Sequence, residues 1–80
     1  MRDTLDNTIR NRIDTNIKYL LEKNDKSQSD LARTIDRSIP HINSLVNGKG
    51  RYTLELIVLI CKYFDVKIDD LMFTDMTQGN

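Results

Sequence analysis

Residues 28–48, QSDLARTIDRSIPHINSLVNG, decide the fold. Two short segments carry apolar residues at helical spacing and flank a turn-length break at Asp36 and Arg37. Leu31, Ala32 and Ile35 are the inner face of the first segment; Ile42, Leu45 and Val46 are that of the second. Ser38 is a good N-cap for the second, because its hydroxyl can accept from the free N–H groups of a first helical turn. Pro40 fits the same turn, where a missing N–H costs nothing. Asn47-Gly48 stops the segment, glycine readily taking the left-handed conformation at a helix end. Two helices, a tight turn and a glycine stop outline a helix-turn-helix, whose second helix can enter a DNA major groove.

Upstream, Leu5, Ile9, Ile13, Ile17, Leu20 and Leu21 recur at three- and four-residue steps. They predict one long amphipathic helix ending near Asn24-Asp25. The next helix starts at Ser27, with Asp30 three residues on in the pattern of a capping box. Downstream, residues 49–52 form a polar loop and Thr53 caps a fourth helix. There Ile57, Ile60, Cys61 and Phe64 fall at i, i+3, i+4 and i+7 and make a core face. Leu56, Leu59 and Tyr63 form a second stripe beside it. Asp65 ends this helix, and residues 68–73 make a short fifth one anchored by Leu71 and Met72. The tail TDMTQGN, residues 74–80, reads as frayed. The expected fold is all-α, a compact bundle of five helices forming a single domain over residues 1–80.

A chain of 80 residues suits one domain with a thin stability margin, since folding at this size buries only about 60% of the unfolded surface. No apolar run approaches the roughly 18 residues of a membrane span, and MRDTLDNTIR lacks a signal peptide's apolar region. Cys61, the single cysteine, cannot form an internal disulfide. The expected setting is a reducing cytoplasm, bacterial or phage-encoded. The formal net charge is +0, which is unusual for a nucleic-acid binder, but its distribution is uneven. Residues 37–63 hold Arg37, Lys49, Arg51 and Lys62 against Glu55 alone, a balance of +3. Residues 64–80 hold Lys67 against Asp65, Asp69, Asp70 and Asp75, a balance of −3. The positive stretch surrounds the second helix of the motif, and the acidic end should face away from a phosphate backbone.

Catalysis finds no support. His41 is the only histidine and Cys61 lies on a core face, so no Cys–His pair is expected. Asp69 and Asp70 diverge on a helix, no other ligand pattern accompanies them, and no metal or cofactor is expected. They read as first-turn acids facing the helix dipole.

From about residue 13 to residue 72 the chain resembles the Cro and phage-repressor type of helix-turn-helix domain, often called XRE-like and built as a lambda-repressor-like bundle. Gln28, Leu31-Ala32, Ile42, Leu45, Asn47-Gly48-Lys49, Leu54-Glu55, Val66 and Asp69-Asp70-Leu71 carry the resemblance. It departs from the usual pattern at Asp36, where glycine is common, at Lys26, where an apolar residue is common, and at Ile39 and Pro40, which are often polar. The first helix also runs longer than usual. The resemblance implies binding to double-stranded DNA, as a dimer on a near-palindromic operator.

It also implies that Gln28 bonds a phosphate, helped by its helix N-terminus, and that Asn47 touches backbone near the end of the recognition helix at residues 38–47. The residues themselves leave alternatives: Gln28 as a solvated first-turn residue, Asn47 as a cap with Gly48. Lys49 and Arg51 are loop cations, either for the DNA backbone or simply solvated. Arg37 either reaches a phosphate or pairs with Asp36, and Ser38 at the helix start and His41 at its edge are further candidates for contacts to the DNA backbone, with surface or capping roles as the alternative. The outward positions are Ile39, Pro40, Asn43 and Ser44. Asn pairs bidentately with adenine, Ser bonds several base edges, and Ile39 and Pro40 suit a thymine methyl. The alternatives are packing of Ile39 on helix two or on a partner subunit, and simple solvation of Asn43 and Ser44. Leu56, Leu59 and Tyr63 suit a two-fold dimer interface, unless the first helix or the chain end covers them. The expected function is a sequence-specific transcription regulator, a repressor acting as a homodimer. The alternative is an antitoxin-like or other protein-interaction module on the same fold, serving a regulatory protein partner.

Overall fold

The computed structural model describes residues 2–78, and the side chains of residues 8–77. Leu5, expected on the inner face of the first helix, lies outside the described side chains. Five α-helices follow one another: α1 (Arg2–Lys23), α2 (Gln28–Thr34), α3 (Ile39–Val46), α4 (Leu54–Phe64) and α5 (Ile68–Phe73). A 3-10 turn, Met76–Gln78, follows α5, and there is no strand among the described residues.

The helix starts follow from local chemistry. The Ser27 hydroxyl accepts from the Asp30 N–H, and the Asp30 carboxylate accepts from the Ser27 N–H at 2.9 Å. These bonds from Ser27, with Arg33 nearby, hold the Asp30 carboxyl below its ordinary value. Ser38 and Thr53 cap α3 and α4 through the N–H groups of His41 and Leu56. Lys67 precedes α5 without a side-chain cap.

The ends of α1, α2, α3 and α4 share one device. Lys26 N–H donates to the Leu21 carbonyl, Arg37 to Ala32, Lys49 to Ser44 and Val66 to Cys61. Each such bond spans five residues, and the residue before each donor adds a shorter-range bond to the carbonyl three back. This is the Schellman arrangement, which needs one residue at positive φ. Asp25, Asp36, Gly48 and Asp65 take those positions, with φ of 56°, 60°, 86° and 58°. Aspartate tolerates this region better than most side chains, so it can close the helix-turn-helix turn where glycine is expected.

α1 packs against α3, α5 and the 3-10 turn, and α2 against α3 and α4. Ile17, Leu31, Ile42, Leu45, Ile60 and Leu71 fill the centre, all fully buried. Leu56 joins them at 3% exposure. Its expected place in a dimer stripe is therefore corrected: its surface is already spent on the chain's own core, because α4 inserts a broader apolar arc than one stripe. Leu59 and Tyr63 are only partly buried against that core.

Asn16, in the middle of the inner face of α1, is also fully buried. Its amide nitrogen donates to the carbonyls of Leu71 at 2.8 Å and Thr74 at 2.7 Å, and its oxygen accepts from the Met76 N–H at 3.2 Å. One side chain thus satisfies backbone groups that the end of so short a helix leaves free. Arg12 adds an ion pair to Asp75 at 3.7 Å. The frayed tail expected from the sequence is corrected for residues 74–77, which α1 ties down; residues 79–80 lie outside the described ones.

Candidate nucleic-acid interface

The Ser38 cap and the inward anchors Ile42, Leu45 and Val46 fix which face of α3 is left open. Ile39 is 51% exposed, Pro40, His41 and Asn43 are exposed, and Ser44 is half-buried. With half its surface open, Ile39 is not packed away against α2. An apolar side chain held open at a capped helix start suits a thymine methyl or another protein surface.

Asn43 donates from Nδ2 to the Gln28 Oε1 at 3.1 Å. This bond joins the outward face of α3 to the first turn of α2, so two residues expected to touch different parts of DNA form one polar unit. Asn47 donates from Nδ2 to the Asn43 carbonyl at 2.8 Å, one helical turn back. Its capping role is therefore present, and its Oδ1 faces the Lys18 ammonium of α1 at 3.5 Å. Gly48, Lys49, Gly50 and Arg51 are exposed.

Two expected backbone contacts are engaged inside the chain. Arg37 donates to the carbonyls of Ile35 and Asp36, both at 3.2 Å, and its other terminal nitrogen lies 4.0 Å from Glu55. The pairing expected with the Asp36 side chain is replaced by these contacts, through which Arg37 braces the turn and reaches α4. The Ser38 hydroxyl is occupied by the His41 N–H.

Sequence reading missed three residues beside this face. Lys18, Asp14 and Tyr52 come from α1 and the loop after α3. Tyr52 donates its hydroxyl to Asp14 Oδ1 at 2.5 Å. Burial pushes the Asp14 carboxyl up, against the lowering influence of Tyr52, Arg10 and Lys18. Burial and then Asp14 push the Tyr52 phenol far above its ordinary range, so it stays a donor. The only signal in the sequence is the four-residue spacing of Arg10, Asp14 and Lys18, which looks like an ordinary solvated helix face.

A capped second helix with an open polar and apolar face, a closing turn before it and cations after it define a helix-turn-helix DNA-binding domain. The Cro/C1-type HTH DNA-binding domain matches residues 16–75, and the chain belongs to that family. No curated protein and no solved structure matches the chain. Residues 2–15 of α1 precede the matched segment. Among the described residues no helix is long and apolar enough to cross a membrane.

Proposed function

We propose that this protein is a transcription regulator, a repressor, which binds a near-palindromic operator as a homodimer in a bacterial cytoplasm. The observation that carries this reading is the open face of α3, Ile39, Pro40, Asn43 and Ser44, tied through Asn43 to Gln28 at the start of α2. Asn43 and Ser44 supply the hydrogen-bonding groups for base edges, and Ile39 and Pro40 the apolar ones. Gln28, Asn47, Lys49 and Arg51 serve the phosphates; His41 lies at the edge of the same face. Two subunits place their α3 helices in successive major grooves about 34 Å apart. Leu59 and Tyr63 are the dimer surface, supported by their partial burial within one chain and by the prevalence of two-fold assemblies.

Selection of sites from a random duplex pool, scored by fluorescence anisotropy at two salt concentrations, tests the reading. The expected result is an enriched palindrome with half-sites one helical turn apart. Replacing Asn43 and Ser44 by Ala should relax the sequence preference and leave weak, salt-sensitive binding. No enrichment and no binding at low salt would overturn it in favour of an antitoxin-like module whose open α3 face meets a protein.

A further inference from the structure

Arg10, Asp14 and Lys18 stand one turn apart along α1 and meet the segment after α3 at three points. The Arg10 guanidinium donates to the Gly50 carbonyl, and its carbon lies 5.7 Å from the centre of the Tyr52 ring. Asp14 accepts from the Tyr52 hydroxyl, which also lies 3.5 Å from the Leu45 carbonyl of α3. Lys18 reaches Asn47, the residue that ends α3. We propose that this stripe is a positioning brace, which holds residues 47–52 in the conformation that presents Lys49 and Arg51 to phosphates. The inference rests on the DNA-binding reading above.

The segment needs such a brace. Gly48 and Gly50 both adopt positive φ, 86° and 105°, and neither has a side chain to restrict the backbone. Two exposed cations on a glycine-rich loop would lose much freedom on binding, and that loss would weaken the complex. Fixing the loop beforehand removes part of the cost. The arrangement is also more expensive than packing alone requires. Arg10 buries Nε and Nη2 without a hydrogen-bond partner among the described residues, and Asp14 buries a carboxylate. An apolar pair would cover the same ground more cheaply, but it could not hold a loop carbonyl.

The test uses the full chain, well below its melting temperature, with random and selected duplexes. Tyr52→Phe removes only the hydroxyl, and Arg10→Met keeps the aliphatic stem. Each should weaken binding to both duplexes alike, by about tenfold, as expected for ordering one or two long side chains. The slope of log affinity against log salt should become shallower, by about 0.9 for each phosphate that the loop no longer neutralises. Sequence preference should be retained. Asp14→Asn keeps an acceptor for Tyr52 and should bind as the wild type does at neutral pH, whereas Asp14→Ala should behave like Tyr52→Phe. A lower melting temperature with the wild-type salt slope would overturn the brace and leave these residues with a structural role. Failure of the wild type to bind any duplex at low salt would instead overturn the DNA reading, and the brace with it.

Discussion

Asp14 is 8% exposed, and its carboxyl is pushed above its ordinary value of 3.8, chiefly by burial. In the unfolded chain it ionises at the ordinary value. The folded chain therefore binds more protons than the unfolded one between these two points. Stability from this group falls as pH rises through the window and is fully present below it. Asn at the same position has no such dependence. The melting temperature of the wild type, measured relative to Asp14→Asn, should rise between about pH 7 and about pH 4. Asp30 and Asp75, whose carboxyls are held low, destabilise the fold on acidification in both proteins and cancel in that difference. A gap that stayed constant would show that Asp14 is not perturbed by burial. Asn16 is the other residue with a disproportionate effect. Replacing it with Ala strands the buried carbonyl of Leu71 and unties the half-buried Thr74 carbonyl and Met76 N–H. Thermal or denaturant unfolding should show a loss of about 3 kcal/mol, and a loss below about 1 kcal/mol would mean that water replaces the amide.

Among the elements, α3 separates structural from contact chemistry at its N-cap. The Ser38 hydroxyl is a cap, so Ser38→Ala should cost about 1 kcal/mol of stability. Ser38→Asp keeps the cap but puts a negative charge where phosphates are expected. It should melt like the wild type and bind duplexes much more weakly; wild-type binding would place Ser38 away from the backbone. The same contrast separates what is legible in the sequence from what is not. Ser27, Ser38, Thr53, Asp36 and Asp65 act within a few residues of their own position, so spacing alone reveals the helix boundaries and the turn. Periodicity puts Leu56 on the wrong surface because it gives an angle on a helix and not the width of the arc its neighbours cover. Asn16 interrupts an apolar stripe like any polar residue, and its partners lie 55 to 60 positions away. The Gln28–Asn43 bond, the Lys18–Asn47 contact and the reach of Arg37 to α4 likewise exist only after the helices are docked.

At the scale of the whole molecule, α4 has to serve the core and the proposed partner subunit from adjacent faces. Leu59→Glu should yield a folded monomer by analytical ultracentrifugation or light scattering, since a buried charge at a two-fold axis meets its own copy. Leu56→Ala should leave the mass unchanged and lower stability by about 2–5 kcal/mol, as expected for a core truncation. An unchanged mass for Leu59→Glu would move the interface elsewhere; among the described residues Leu54 and Phe73, 72% and 62% exposed, are the most open large apolar side chains for it.

The first helix and the last one are packed together, with Leu71 fully buried and Asn16 bonded across to the residues around it. During synthesis, the inner face of α1 emerges long before its cover. A nascent chain that already carries Gln28, Asn43, Lys49 and Arg51 still lacks Leu71 and the carbonyls that Asn16 must meet. Non-local closure of this kind has to wait until both ends are present. Closure of the DNA-binding domain therefore waits for residues 71–76, and a nascent chain that already carries the recognition helix does not yet have the complete fold around it.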